Sequence, residues 1–119
     1  MTDADLDTVA TGWLTLPDLS EQVGESLSTI RQWVRERKLV VVARGTPAVK
    51  QVPADLVHDG HLLKGLAGAL TVLHDAGYSD VEALRWLLSD EPVLGGRPVD
   101  LMAAGRDVAV KRHAMSLAF

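Results

Sequence analysis

The chain has 119 residues, of which 47% are hydrophobic and 24% charged, and it contains no cysteine. This length allows one compact domain, or two very small ones that share a core, and it excludes a large multidomain enzyme. Without cysteine there are no disulfides, thiolate metal sites or thiol nucleophiles, and we expect a cytoplasmic protein. The longest apolar runs, such as residues 39–43, are far shorter than the roughly 20 residues that cross a bilayer, so we expect no membrane association.

The formal charge of -4 is unevenly distributed along the chain. Residues 1–25 carry six acidic residues and no lysine or arginine, whereas residues 26–50 carry six of the 12 basic residues and a single glutamate. A basic stretch in an otherwise acidic protein is typical of a surface that faces phosphates. The simpler alternative is a solvated basic helix.

In chain order, the first predicted segment is an acidic flexible tail over residues 1–12, because its residues are small and acidic and show no sustained hydrophobic period. Two helices joined by a tight turn follow. Thr15 is a candidate N-cap for the first helix, and Gly24 supplies the positive φ that ends it. Ser26 caps a second helix over about residues 27–37. Its buried stripe consists of Ile30, Trp33 and Val34.

Two helices in this arrangement form a helix-turn-helix, whose second helix can enter a DNA major groove about 12 Å wide. The outward face of that helix is polar, and Ser28, Thr29 and Gln32 can offer hydroxyls and an amide to base edges. The candidates for phosphate contacts are Arg31, Arg35, Arg37, Lys38, Arg44 and Lys50. If about five of them make contacts, log K falls with log salt at a slope near -4 to -5, at roughly 0.9 per phosphate.

A small hairpin is predicted next. Residues 39–43 are apolar and β-branched, residues 44–47 are typical of a turn, and residues 49–52 alternate apolar with polar side chains. A hairpin directly behind a recognition helix is a wing, and Arg44 and Lys50 on it would lie beside the DNA backbone or a minor groove.

The run from Leu16 to Leu39, with its Ser26-Leu27-Ser28-Thr29-Ile30-Arg31-Gln32-Trp33 core, resembles the winged helix-turn-helix of the mercury-resistance-regulator and excisionase superfamily. The resemblance implies that Ser26 is the N-cap, that Ser28 and Thr29 start the groove-facing surface, that Arg31 contacts the backbone and that Trp33 anchors the core. The chain departs from the superfamily pattern at two positions. Glu25 stands where an apolar residue is usual, and Arg37 stands where glycine usually ends the helix.

The second half is predicted to be helical. Helices are expected from about residue 62 to Gly77, after a capping box at residues 79–82, from Pro98, and over residues 108–117. The predicted fold is therefore mainly α with a small β-hairpin wing, divided into a winged helix-turn-helix at 13–58 and a helical C-terminal domain at 59–119. As a whole, the chain resembles small actinobacterial winged-helix DNA-binding proteins that carry an extra helical C-terminal domain, a family with no assigned enzymatic activity.

One stretch of the second half allows a different function. Residues 86–88 together with residues 94–101, with their Leu-Gly-Gly-Arg-Pro turn, resemble the toxin-binding domain of certain bacterial antitoxins. The chain could accordingly be a protein-interaction module whose C-terminal half binds a protein partner. A structural or dimerising role is the alternative for this half. A ligand-responsive regulator is a further one, although no convergent polar cluster marks a pocket.

No pattern in the chain predicts catalysis or a bound cofactor. The sequence has no phosphate-binding loop, nucleophile elbow or HExxH motif. His58 and His61 are three residues apart, but no third ligand stands at a useful spacing, so no metal site is predicted. We therefore expect a protein that is not an enzyme.

The sequence thus predicts a cytoplasmic, nucleoid-associated protein that binds double-stranded DNA and regulates transcription, with a homodimer as one possible assembly. Thr8 and Thr11 are candidate phosphorylation sites for a Ser/Thr kinase. A phosphate there adds about -1.5 to -2 charges and would weaken DNA binding by repulsion. The alternative is that both are ordinary residues of a solvated segment.

Overall fold

The computed structural model describes residues 3–117, with side chains from residue 6 onward. Its first half consists of a 3-10 helix at Asp3–Thr8, β1 (Trp13–Thr15), α1 (Leu16–Val23), α2 (Leu27–Arg35), β2 (Val42–Arg44) and β3 (Val49–Pro53). Its second half consists of a 3-10 helix at Ala54–Leu56, β4 (Val57–His58), β5 (His61–Leu62), α3 (Leu66–Asp75), α4 (Asp80–Leu88), α5 (Pro98–Ala103) and α6 (Asp107–Ser116). The fold is mainly α with a small wing, as predicted. No helix within residues 3–117 is long and apolar enough to span a membrane.

The helix-turn-helix is set by its capping residues. The Thr15 side chain accepts a hydrogen bond from the backbone N–H of Asp18 at 3.2 Å, and that of Ser26 accepts one from Thr29 at 3.1 Å. Gly24 ends α1 with a φ of 69°. A side chain there would be strained in this left-handed conformation, which glycine adopts without a steric cost. All three predicted roles are confirmed.

Helix α2 ends at Arg35, two residues before the predicted limit of residue 37. After Arg35 the backbone N–H of Arg37 donates to the Val34 carbonyl at 3.1 Å, and that of Lys38 donates to the Trp33 carbonyl at 2.9 Å. Together these two hydrogen bonds form a Schellman motif, in which the residue that follows the helix C-cap adopts the left-handed backbone conformation. Arg37 takes that conformation with a φ of 59°. It therefore replaces the glycine of the superfamily pattern in position and in backbone geometry.

The wing belongs to a three-stranded antiparallel sheet with the order β1-β3-β2. Leu14 pairs with Val52, and Ala43 pairs with Lys50. The predicted strand at 39–43 is displaced toward β2, because Leu39 and Val40 are buried in the core as irregular chain instead. The sequence pattern did not indicate β1. This strand has only three residues, and its partner strand, β3, comes after the helix-turn-helix in the chain.

The flexible tail predicted at residues 1–12 is wrong for the part that the structure describes. Asp3–Thr8 forms a 3-10 helix that packs against α4, and Leu6 within it is fully buried. One large apolar side chain among three aspartates gives no period along the sequence, but burying it supplies the hydrophobic contribution that holds this segment in place. Residues 1–2 lie outside the described part of the chain.

In the second half the predicted helices are confirmed with shifted starts. Residues 53–55 begin only a single 3-10 turn, and α3 starts at Leu66 rather than near residue 62. The residues between form the β4–β5 hairpin, whose turn at Asp59 and Gly60 has two positive φ angles. The capping box at Ser79 is present: the Ser79 backbone N–H donates to Glu82 Oε1 at 2.9 Å, and the Glu82 backbone N–H donates to Ser79 Oγ at 3.1 Å.

Both halves share one hydrophobic core. Its buried members run from Leu6 through the helix-turn-helix to Ala114 in α6. The close contact of α3 with α6 depends on Gly65, because a Cβ at this position would lie 2.8 Å from the Cβ of Asp107. Within this core, α2 packs against α1.

Candidate nucleic-acid interface

Helix α2 presents a polar face to solvent. Ile30 is fully buried and Trp33 and Val34 are half-buried, as the predicted stripe requires. The opposite side is exposed and carries Ser28, Arg31, Gln32 and Arg35. Thr29 differs from this group, because it is half-buried and its hydroxyl lies 3.0 Å from that of Ser26. Thr29 thus contributes to the helix cap and is less available to a base than Ser28.

Three of the predicted phosphate contacts lie together. Arg31 and Arg35 of α2 and Lys50 of β3 line one surface hollow of about 330 Å³, with the apolar side chains of Leu16 and Val34 between them. None of the three cations forms an ion pair with any carboxylate that the structure describes. Two guanidinium groups and one ammonium group that form no described ion pair, around an apolar floor, suit an anionic polymer with a sugar backbone.

Arg37 is held by the C-terminal half. Its Nη2 lies 3.1 Å from Asp80 Oδ1, and the same oxygen lies 2.8 Å from Nε2 of His74. Arg37 remains 62% exposed at its side chain, so the pair is weak in energy. It nevertheless directs the guanidinium toward α4, away from Arg31, Arg35 and Lys50. The prediction that Arg37 contacts phosphate is therefore not supported by its geometry.

Lys38 belongs to a line of polar contacts on the exposed side of α2. Arg35 Nη2 donates to Gln32 Oε1 at 3.2 Å, Gln32 Nε2 donates to Glu36 Oε2 at 3.1 Å, and Lys38 Nζ lies 3.3 Å from Glu36 Oε1. The hydrogen bond from Gln32, followed by that from Lys38, lowers the pKa of Glu36. Lys38 thereby has an intramolecular carboxylate partner, Glu36. We call Arg35, Gln32, Glu36 and Lys38 the α2 ladder.

Arg44 is a structural residue of the wing. Its Nη1 lies 2.7 Å from Asp7 Oδ1, its guanidinium carbon lies 3.9 Å from the centre of the Trp13 ring, and its side chain is only 24% exposed. The Trp13 indole also donates to Asp7 Oδ1 at 3.1 Å. The charge of Arg44 is thus matched within the protein and its flat face is covered, and the phosphate contact at Arg44 stays a prediction. The opposite charges of the N-terminal and basic segments were visible in the sequence, but nothing in it indicated which of the acids would reach the wing.

The Leu-Gly-Gly-Arg-Pro corner is a joint between the two halves. Arg97 donates to Asp55 Oδ2 at 3.0 Å, to Asp100 Oδ2 at 2.9 Å and to the Val9 carbonyl at 3.0 Å. The Asp55 side chain is 2% exposed and also accepts from the Thr11 backbone at 2.9 Å. The arginine of the antitoxin-like motif therefore points into the molecule. Binding of a protein partner by this half stays a prediction.

His58 and His61 occupy facing positions of the β4–β5 hairpin, not one face of a helix. His58 Nε2 lies 3.3 Å from Asp59 Oδ2. Among the residues that the structure describes, no three histidines or carboxylates are arranged to hold a metal ion.

Comparison with known families gives two matches that divide the chain. Residues 2–57 match the model described as "DNA-binding protein Rv2175c, wHTH domain". Residues 63–118 match the model described as "Rv2175c C-terminal domain of unknown function". Neither description names a reaction or an antitoxin.

A relative and a solved structure agree with these matches. The DNA-binding protein Rv2175c of Mycobacterium tuberculosis is 36% identical over 117 residues, which covers 87% of this chain and 79% of that protein. The NMR structure of Rv2175c superposes with a TM-score of 0.76 at 33% identity, covering 91% of this chain and 82% of the other. The chain belongs to the family of the mycobacterial protein Rv2175c, in which a winged helix-turn-helix domain precedes a C-terminal domain of unknown function.

Proposed function

We propose that this protein binds double-stranded DNA, with α2 in the major groove and the β2–β3 wing against the backbone, and that it regulates transcription. The observation that carries the proposal is the hollow formed by Arg31, Arg35 and Lys50, whose charges have no described carboxylate partner. Ser28 and Gln32 are exposed on the same helix and are the candidates for base contacts. The name of the relative, a DNA-binding protein, supports the same function.

Three of the six candidate cations are unpaired among the described residues, so we expect DNA binding to depend less steeply on salt than five phosphate contacts would give. Three phosphate contacts for each bound copy give a slope of log K against log salt of about -2.7, instead of the -4 to -5 expected from five. We infer that Arg37, Lys38 and Arg44 contribute little to this slope, because each lies against a carboxylate of the protein.

The test is a selection of bound fragments from genomic DNA, followed by a salt titration on the best duplex. A slope of about -2.7 per copy is the expected result. Affinity that does not change with salt would contradict DNA binding through this surface. For a transcriptional regulator located at the nucleoid, the selected fragments should be concentrated upstream of genes, and an even distribution would contradict that part of the proposal.

We further propose that two copies occupy each DNA site. A surface with three unpaired cations makes few contacts, and two such surfaces on half-sites about 34 Å apart would add their binding energies. Sedimentation of the saturated complex should give two copies per duplex. A single copy per duplex at saturation would contradict the dimer.

A further inference from the structure

The α2 ladder fixes the orientation of the Gln32 amide. A guanidinium can only donate hydrogen bonds and an ionised carboxylate can only accept them. Gln32 therefore satisfies both neighbours in one orientation, with Oε1 toward Arg35 and Nε2 toward Glu36. Turning the amide over would set its oxygen against the carboxylate and its NH₂ group against the guanidinium. The chemistry of the two neighbours thus selects between orientations that an isolated amide adopts equally.

When the Gln32 amide is held in one orientation, its donor and its acceptor are presented in a fixed order. After the two ladder bonds, Gln32 keeps one N–H on the side of Glu36 and one acceptor lone pair on the side of Arg35. In the major groove an adenine offers an acceptor at N7 beside a donor at N6, and a glutamine amide can pair with both. Because the donor and acceptor of the amide are ordered along the helix, they match adenine on one strand and mismatch the reversed base pair.

DNA binding should affect the hydrogen bonds from Gln32 to Arg35 and to Glu36 differently. Arg35 lines the cationic hollow and is one of the residues expected to bind phosphate, which removes it from Gln32. Glu36 is repelled by phosphate, and Lys38 partly balances its charge, so its bond to Gln32 can persist. Glu36 is then the neighbour that keeps the amide oriented in the complex.

We propose that Glu36 is a positioning residue that orients Gln32 and thereby makes each bound copy of the protein distinguish an A·T pair from a T·A pair at one position of its half-site. The inference rests on the proposed function, since it concerns how that same surface reads a sequence. Glu36 itself does not need to touch the DNA.

The experiment compares four proteins on duplexes in which each base pair of the selected site is reversed in turn: wild type, Gln32→Ala, Glu36→Ala and Glu36→Gln. Wild type should prefer one orientation at one position of each half-site by roughly tenfold, the size of one good bidentate base contact. Gln32→Ala and Glu36→Ala should both reduce the preference at that position to less than about threefold. Glu36→Gln should lower it to an intermediate value, because a glutamine amide can turn either its oxygen or its NH₂ group toward Gln32, whereas a carboxylate can only accept.

The two Glu36 variants separate orientation from charge. Both remove one negative charge and should raise the affinity for every duplex by about twofold. Glu21→Ala, which removes an exposed carboxylate from α1, is the matched control and should leave all base preferences unchanged. Thermal melting of each variant establishes that it is folded.

Three results would overturn the proposal: an unchanged preference in Glu36→Ala, a preference in Glu36→Gln as strong as in wild type, or no position at which Gln32→Ala changes the preference. These failures are distinct from failure of the proposed function, which is read from the wild-type salt titration alone.

Discussion

The Asp7 carboxylate lies 2.7 Å from the guanidinium of Arg44, so the N-terminal segment and the wing are joined by an ion pair. The pair stands beside Trp13, which covers the guanidinium and donates its indole N–H to the same carboxylate oxygen. The acidic segment is therefore part of the winged domain and directly affects which cations remain available to a ligand.

Arg44→Ala should leave the salt dependence of DNA binding unchanged, because the charge of Arg44 is already balanced by Asp7. The variant should lower the free energy of unfolding by about 1 kcal/mol through loss of the ion pair and of the contact with the Trp13 ring. Salt titration and urea unfolding measure the two effects. A slope that becomes less steep by a full phosphate contact would show that Arg44 releases Asp7 and binds DNA.

Arg31→Ala, Arg35→Ala and Lys50→Ala should each make the slope less steep by about 0.9 and weaken binding to all sequences alike, since each removes one unpaired cation. Arg37→Ala is the control within the same basic segment, because its guanidinium is directed to Asp80. Fluorescence anisotropy at several salt concentrations provides the comparison. If Arg37→Ala changes the slope as much as Arg31→Ala, the division into paired and unpaired cations is wrong.

Arg97→Leu should lower the free energy of unfolding by about 3–5 kcal/mol, because it leaves the buried Asp55 carboxylate without its cation. The double variant Arg97→Leu, Asp55→Leu should recover part of this loss, since no unpaired charge then remains buried. Urea unfolding of the wild type, both single variants and the double variant gives the coupling energy. An Arg97→Leu protein as stable as wild type would contradict the role of this joint.

The loss of folding stability at acidic pH should depend on Asp100. The hydrogen bond from Arg97 lowers the pKa of Asp100 below its ordinary value of 3.8. A carboxyl group with a lowered folded-state pKa contributes its stability above the unfolded-state pKa and loses it as pH falls through the folded-state value. Stability should therefore decline below about pH 4, and Asp100→Asn should make this decline shallower. Asp75→Asn, at an exposed carboxylate on α3, is the control and should leave the decline unaltered.

Thr8→Asp and Thr11→Asp, as mimics of a kinase product, should weaken DNA binding, because both residues are exposed in the segment that Asp7 attaches to the wing. The added charge then stands on a segment attached to the wing, which the proposed function sets against the DNA backbone. Thr71→Asp on α3 adds the same charge on another element and should have a smaller effect. Equal affinities for wild type and the Thr8 and Thr11 variants at both low and high salt would count against regulation by phosphorylation.

Local signals in the sequence were sufficient for the helix-turn-helix. Thr15, Gly24 and Ser26 act within a few residues of themselves, so their capping and turn roles follow from residue type and spacing. Arg37 was recognised as a departure from the glycine pattern, but its left-handed backbone became evident only from the hydrogen bonds that close α2.

Contacts between distant segments could not be predicted in this way. The partner of Arg44 is 37 positions earlier in the chain, and that of Arg37 is 43 positions later. Six cations in the basic segment are equal candidates for phosphate contacts by sequence. The distant residues Asp7 and Asp80 pair with two of them, and the neighbouring Glu36 pairs with a third. The burial of Leu6 depends in the same way on α4, which the N-terminal sequence does not contain.

The joint at Arg97 limits how this molecule can be divided for experiment. A polypeptide cut after residue 58 would retain the polar face of α2 but would remove the guanidinium from Asp55 and the helix that covers Leu6. Loss of DNA binding by such a fragment would then report a damaged scaffold, and not a missing contact. Single substitutions in the intact chain are the informative way to separate the contributions of the two halves.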